Sequence, residues 1–228
     1  MSISAGDIWV VIPAFNEAAV IGDVVLEART AYPNVIVIDD GSSDATAARA
    51  RQACGHVIRH PVNLGQGAAL QTGITYALKM GARYVATYDA DGQHDIADVG
   101  RMAEYLLQNN LDVVLGSRFL GKAIDMSTGR RLLLRAAVVF TVVTTGMNLT
   151  DAHNGLRLFT AKAAAAIDLR QNRMAHASEI LEQIARAKLN YAELGNTVRY
   201  TEYSRAKGQK ASNSINILID LFFGRLGK

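Results

Sequence analysis

Arg83-Tyr-Val-Ala-Thr-Tyr-Asp-Ala-Asp-Gly-Gln-His94 joins an apolar, strand-like run to two carboxylates, Asp89 and Asp91, at i and i+2. In an extended chain those side chains point to the same side. Two hard oxygen ligands at a strand end suit a divalent cation that also holds a substrate's phosphates. Standing alone, an Asp-x-Asp reads first as a polar turn. Its neighbours along the chain change that reading.

On both sides of this stretch, apolar runs alternate with helical patterns. Ile8-Trp-Val-Val-Ile12, Val35-Ile-Val-Ile38, His56-Val-Ile-Arg59 and Asp112-Val-Val-Leu115 read as further strands. Helical spacing covers Glu17 to Arg29, the segment after Ser42-Ser43-Asp44 to Ala53, Gly67 to Lys79 and Ile96 to Gln108. Continuous apolar strands alternating with helices predict an α/β fold: a Rossmann-like, mostly parallel sheet with helices on both faces. Polar and glycine residues gather at the strand C-terminal ends, the edge where open α/β sheets bind ligands. The second half is less regular. It predicts a buried helix from Arg130 to Met147, a loop from Asp151 into a strand near Phe159, and helices over Thr160 to Asp168 and Ser178 to Lys188. Asn196 to Tyr203 alternates like a strand, and Ser214 to Leu226 reads as a terminal helix.

The 228 residues suggest one domain, with a small C-terminal α/β addition. With 24 Lys+Arg against 21 Asp+Glu, the net charge of +3 is too mild to imply nucleic acid. The basic residues cluster from Arg118 to Arg135 and from Arg199 to Lys210, which fits phosphate groups or an anionic surface. One cysteine, Cys54, excludes an internal disulfide or a thiolate zinc site. The N-terminus lacks the pattern of a signal peptide, and the apolar run Ala136 to Val143 is too short to span a bilayer. A cytoplasmic protein is expected.

Asp39 and Asp40 end a buried strand, where a carboxylate can accept from a nucleobase edge or ribose. A receiver-like acidic pocket or helix capping by Ser43 and Asp44 fits the same residues. Pro13-Ala-Phe-Asn-Glu17 lets backbone approach a base, with Glu17 in reach of ribose. It also reads as an ordinary helix start. Asn63-Leu-Gly-Gln-Gly67 is neither a Walker A loop nor a dinucleotide fingerprint, but a tight turn into a helix near the nucleotide. Arg118, Arg157 and Arg205 sit in polar breaks, and Arg forks suit diphosphates.

Together, Val11-Ile-Pro-Ala-Phe-Asn-Glu17, Val37-Ile-Asp-Asp-Gly-Ser-Ser-Asp44, Asn63-Leu-Gly-Gln-Gly67, Asp89-Ala-Asp-Gly-Gln-His94, Gly116-Ser-Arg-Phe119 and Asp151-Ala-His-Asn-Gly-Leu-Arg157 occur in this order. Over residues 8 to 210 the chain resembles the family 2 glycosyltransferases of GT-A fold, in their dolichyl-phosphate mannosyltransferase-like branch. The resemblance implies that Pro13, Ala14, Glu17, Asp39, Asp40 and Asp89 line the nucleotide of a UDP- or GDP-sugar. It implies that Asp89, Asp91 and Gln93 hold Mg²⁺ or Mn²⁺ on the donor diphosphate. Ser117 and Arg118 then border the acceptor. Arg157 matches the Arg of a Gly-Phe-Arg motif with Leu156 in place of the aromatic, and Arg205 is similar to the basic residue near the transferred phosphate. Residues 1–118 would form the nucleotide-sugar half, 119–210 the acceptor half and 211–228 a terminal helix.

The sequence departs from the family at two places. His94-Asp-Ile96 stands where His-x-Pro-Glu is usual, and the Glu-Asp pair that serves as base for hydroxyl acceptors is missing. An ionised phosphate acceptor needs no strong base, so a polyprenyl phosphate acceptor and inversion are expected. Glu179, in His176-Ala-Ser-Glu179, is the candidate base for the alternative, a saccharide hydroxyl acceptor in surface-glycan synthesis; it also reads as an exposed helix residue. A catalytically silent nucleotide-sugar-binding subunit is the reading of another class. The terminal helix fits core packing, a homodimer contact or peripheral attachment to the inner face of the cell membrane.

Overall fold

The computed structural model describes residues 3–53, 56–124, 128–171, 175–201 and 203. Cys54, Arg205 and the terminal helix expected at 211–228 lie outside them. The described strands are β1 (Ile8–Ala14), β2 (Asn34–Asp39), β3 (His56–Arg59), β4 (Tyr84–Thr87), β5 (Val113–Ile124), β6 (Arg157–Thr160) and β7 (Tyr191–Arg199). They form one sheet in the order β3-β2-β1-β4-β6-β5-β7. β1 pairs in parallel with β2 and β4, β2 with β3, and β5 with β7. β6 is antiparallel to both of its neighbours, β4 and β5.

The helices are α1 (Ile21–Ala31), α2 (Thr46–Ala53), α3 (Gln66–Lys79), α4 (Ala97–Gln108), α5 (Thr128–Thr145), α6 (Ala161–Ala165) and α7 (Ala175–Arg186). The alternation along β1 shows why the strands are apolar throughout. Ile8, Val10 and Ile12 pack with Ile21, Val24 and Val25 of α1 and with Val99 and Met102 of α4. Trp9 and Val11 face the other way, into a core with Leu70 and Ile74 of α3 and Ile180, Leu181 and Ile184 of α7. Both faces of the strand lose water, so each position contributes. Truncating one of these side chains to Ala costs about 2–5 kcal/mol.

Three expectations need correction. β5 does not end at Gly116-Ser117-Arg118 but continues to Ile124, because β7 keeps pairing with it beyond a register shift between Ser117 and Lys122. β7 itself begins at Tyr191, and its first five residues are only half-buried, which hides the alternation. Among the described side chains of α5, the apolar run is only partly buried, with Val138 packed against the core. Thr141 is turned inward, while Leu132, Val139 and Val143 are 73%, 64% and 79% exposed.

Candidate active site

A cavity of about 550 Å³ opens where β1, β2 and β4 end. Pro13, Ala14, Phe15 and Glu17 follow β1 into its lining, Asp40 follows β2, and Asp89, Asp91, Gln93 and His94 follow β4. The rest of the lining includes Arg118 from β5, Arg157 from the start of β6, His153 and Gly155 from the loop before it, and His176 from α7.

Successive residues at a strand end point to opposite sides, which separates the two members of the Asp39-Asp40 pair. Asp40 faces the cavity. Its Oδ1 accepts from the Leu64 amide at 2.9 Å and contacts His60 Nδ1 at 2.8 Å, while Oδ2 accepts from the Gly65 amide at 2.8 Å. The amides of the glycine turn are therefore spent on Asp40. Asp39 is fully buried and absent from the cavity lining. Its Oδ1 accepts from the Ser42 amide at 3.1 Å, and Arg59 Nε stands 3.0 Å from Oδ2 as an ionic contact outside hydrogen-bond geometry. The carboxylate that fronts the cavity is Asp40, and Asp39 anchors the loop behind it. Glu17 is nearly buried, its amide donates to Thr46 Oγ1 at 2.8 Å, and its Oε2 accepts from Tyr203 Oη at 2.7 Å.

Asp89 is held from three directions. His94 Nε2 lies 3.0 Å from Oδ2 and Gln66 Nε2 lies 3.4 Å from Oδ1. Gly155 covers it so closely that a Cβ there would stand 1.9 Å from Oδ2. Burial pushes the Asp89 carboxyl up, but the His94 hydrogen bond and the charges of His94 and Arg157 outweigh it, leaving it below the ordinary carboxylate range. Asp91 goes the other way. Burial and then the charge of Asp89 push its carboxyl up to about 6, with Glu17 adding to the effect. Its Oδ1 accepts from the Gln93 amide at 3.1 Å.

Arg118 is itself clamped. Nε donates to Asp151 Oδ2 at 2.6 Å, Nη1 to Tyr200 Oη at 2.9 Å and Nη2 to the His153 carbonyl at 2.7 Å. Arg157 is buried, and its Nη1 has no hydrogen-bond partner among the described residues. Burial draws its guanidinium down to about 10, against the pull of Asp89 and Asp151. Among the described residues neither ring nitrogen of His153 has a partner. Burial, with Arg157 and Arg118 close by, lowers its pKa to about 4 despite Asp151, so the imidazole is neutral near pH 7.

Two other expected site residues are placed elsewhere. Ser117 is fully buried and shares a 2.7 Å hydrogen bond with Thr150 Oγ1, away from the cavity. Glu179 is neither exposed nor on the cavity lining. Its carboxylate accepts from the amides of Arg170, at 3.1 Å to each oxygen, and Gln171, at 2.9 Å, which makes it a cap for that turn. Sequence reasoning passed over Gln66, His153 and Gly155, and treated His94 only as part of a motif. For Gly155 the available signal was its place two residues before Arg157.

A mostly parallel sheet with carboxylates and guanidinium groups lining one cavity at its strand ends matches the GT-A fold expected from the sequence. Solved structures bear out the fold. Glucosyl-3-phosphoglycerate synthase from Mycobacterium tuberculosis, in complex with Mg²⁺ and UDP, superposes with a TM-score of 0.68 at 20% identity, over 94% of this chain and 78% of that one. Its complex with Mn²⁺ and UDP-glucose gives 0.70 at 20% identity, over 96% and 79%. The chain belongs to glycosyl transferase family 2, whose family profile matches residues 9–167. Among its relatives, the uncharacterized protein MJ1222 of Methanocaldococcus jannaschii is 34% identical over 98% of this chain and 94% of its own. The UDP-N-acetylglucosamine–dolichyl-phosphate N-acetylglucosaminyltransferase of Methanococcus voltae is 30% identical over 97% of both chains. The undecaprenyl-phosphate mannosyltransferase of Micrococcus luteus is 31% identical over 70% of this chain and 68% of its own.

Proposed function

We propose that this glycosyltransferase moves a sugar from a UDP- or GDP-sugar to a polyprenyl phosphate, with inversion at the anomeric carbon. One observation carries the reading. The carboxylates that line the cavity, Glu17, Asp40, Asp89 and Asp91, all stand on the wall built by β1, β2 and β4. The part of the lining built by β5, β6, the loop before β6 and α7 presents Arg118, Arg157, His153 and His176, and no carboxylate among the described residues. Glu179, the candidate base, is committed to two backbone amides. A phosphate nucleophile arrives already ionised and needs a cationic wall rather than a base. Relatives named for dolichyl- and undecaprenyl-phosphate acceptors support the same class.

The donor wall fits a divalent cation. Asp89, Asp91 and Glu17 all line the cavity, and burial, then the charge of Asp89 with a smaller effect of Glu17, pushes the Asp91 carboxyl up to about 6. Among the described residues no three His, Cys, Asp or Glu side chains converge as a closed cage. Two carboxylates with diphosphate oxygens completing the shell match the way Mg²⁺ is held on nucleotide substrates. Asp89 and Asp91 would hold Mg²⁺ or Mn²⁺, with Gln93 beside them, and the bound ion would offset charge growing on the leaving diphosphate.

The remaining steps fall to the protein's own groups. Pro13, Ala14 and Phe15 offer an apolar surface to the base, with Glu17 and Asp40 as acceptors for base and ribose hydroxyls. Arg157 Nη1 is a free charged donor for a phosphate oxygen. Neutral His153 donates from one nitrogen and accepts at the other, which suits a sugar hydroxyl. The acceptor oxygen attacks the anomeric carbon as the bond to the diphosphate breaks on the opposite face.

A lipid-borne acceptor also accounts for α5. Leu132, Val139 and Val143 form one exposed stripe. Arg131 and Arg135 lie exposed beside it, and the helix contains no acidic residue. Such a face suits the surface of an anionic bilayer. Among the described residues no helix is long and apolar enough to cross a membrane. Nucleotide release from UDP- and GDP-sugars, measured with and without polyprenyl phosphate, tests the proposal. Release from one donor that depends on the lipid phosphate is expected. Release driven only by a saccharide acceptor would overturn it.

A further inference from the structure

A continuous hydrogen-bond path leads away from Asp89 through His94, on the cavity lining, to Asn196 and Asn154 behind it. Leu156 N–H donates to Asn154 Oδ1 at 3.1 Å. A backbone N–H can only donate, so the orientation of the Asn154 amide follows from it. Asn154 Nδ2 then has two protons and two acceptors, Asp151 Oδ2 at 3.3 Å and Asn196 Oδ1 at 2.9 Å. Asn196 therefore presents its Nδ2 to His94 Nδ1, 3.3 Å away. A ring nitrogen that accepts carries no proton, so neutral His94 carries its proton on Nε2. That nitrogen lies 3.0 Å from Asp89 Oδ2.

We infer that Asn154 and Asn196 are positioning residues, which relay the polarity of one backbone amide to His94 and hold it as an Nε2–H donor to Asp89. The relay draws on three separate segments: the turn after β4, the loop before β6, and β7. All three side chains are buried, at 4% exposure for His94, 3% for Asn154 and 1% for Asn196. Backbone contacts set the two ends. Tyr88 Oη donates to the His94 carbonyl at 2.7 Å, and the Arg199 amide donates to the Gln93 carbonyl at 2.9 Å. At Asn196, β5 comes so close that a Cβ on Gly121 would stand 2.1 Å from the Asn196 carbonyl oxygen. Reversing either Asn amide would set donor against donor or acceptor against acceptor in a dry site.

The same path reaches Arg118. Asp151 Oδ2, which accepts from Asn154, also accepts from Arg118 Nε at 2.6 Å. The Asp89 carboxylate and the Arg118 guanidinium are thus registered through one set of buried amides. The consequence for cation binding rests on the reading of Asp89 as part of the cation and diphosphate site. Partners of ligating side chains typically contribute 10–100-fold to metal affinity or activity.

The test is the protonation pattern of His94 in the full, metal-free chain, read by long-range ¹H–¹⁵N correlation on ¹⁵N-histidine protein. A protonated Nε2 and a bare Nδ1 are expected. In Asn196→Asp the carboxylate can only accept, so a proton appears on Nδ1. Mn²⁺ half-saturation in the presence of nucleoside diphosphate, followed by the EPR signal of free Mn²⁺, then rises by about 10–100-fold. Asn196→Leu, which neither donates nor accepts, frees the tautomer and weakens Mn²⁺ similarly. Wild-type His94 protonated on Nδ1 would overturn the relay without recourse to any variant. So would a bare Nδ1 in Asn196→Asp, or Mn²⁺ binding unchanged in both variants. Wild-type protein with the expected tautomer but no Mn²⁺ binding would instead remove the cation reading and leave the relay standing.

Discussion

Gly155→Ala tests how tightly the site is built around Asp89. A methyl carbon on residue 155 would lie 1.9 Å from Asp89 Oδ2, 2.3 Å from Cγ and 2.4 Å from Oδ1. Carbon–oxygen contacts ordinarily begin near 3.3 Å, so carboxylate and loop must separate by about 1.4 Å. Neither yields freely. Asp89 is tethered to His94 and Gln66, while the Gly155 carbonyl accepts from Thr87 Oγ1 at 2.7 Å and the chain enters β6 two residues later. Overpacking of this kind costs about 1–3 kcal/mol. For a chain of this size that lowers the melting temperature by roughly 2–12 °C. The functional loss is larger, because a misplacement of about 1 Å costs on the order of 100-fold. The assay is kcat/KM for nucleotide release at saturating Mn²⁺, beside thermal melting and Mn²⁺ half-saturation. Gly22→Ala is the control, since a Cβ there meets nothing within 4 Å. A drop of about 100-fold in kcat/KM with a folded protein is expected. Wild-type kcat/KM and Mn²⁺ dependence in Gly155→Ala would refute the reasoning.

Three further outcomes follow from the same geometry. In metal-free protein the Asp91 carboxyl, raised to about 6, favours folding in its protonated form. That contribution is complete below about pH 4 and is lost as the pH climbs past about 6, so Asp91→Asn gains up to about 3 kcal/mol near neutral pH and nothing near pH 4. Denaturant unfolding at the two pH values checks this, and added Mn²⁺ should stabilise only the wild type. Glu179→Gln loses about 1–3 kcal/mol of stability through its broken cap yet keeps kcat within about twofold. A loss of 100-fold or more would restore Glu179 as a base. Replacing Leu132, Val139 and Val143 together by Glu abolishes flotation with anionic vesicles while turnover of a short, soluble prenyl phosphate survives. Unchanged flotation would remove α5 from the membrane contact.

The parts of this fold that were legible in the sequence are those whose physics is local. β1, β2 and β4 lose water on both faces, so they are written as unbroken apolar runs. Their acidic tips, Asp39-Asp40 and Asp89-Ala-Asp91, mark the binding edge. Which residue of an adjacent acidic pair faces the ligand depends on strand parity at the last ladder position, so Asp39 and Asp40 could not be told apart. The apolar run of α5 looks the same in one dimension whether it faces a core or solvent. Its outward stripe follows from where α7 packs against it. Glu179 was misread because its partners, the amides of Arg170 and Gln171, belong to a turn with no sequence signature. His153 and the Asn154–Asn196 pair join the site through residues 35 or more positions away, such as Arg118 and His94, which periodicity does not reach.

The proposed function requires that the oxygen receiving the sugar belong to a phosphate, not to a hydroxyl. Incubating the enzyme, Mn²⁺ and the preferred nucleotide sugar with polyprenyl phosphate, with the matching polyprenol, or with a saccharide, and following each by ³¹P NMR and product mass, tests it most directly. Conversion of the lipid phosphomonoester to a glycosyl phosphodiester, with no product from polyprenol or saccharide, is predicted. A glycoside formed on a hydroxyl while the lipid phosphate stays a monoester would contradict it.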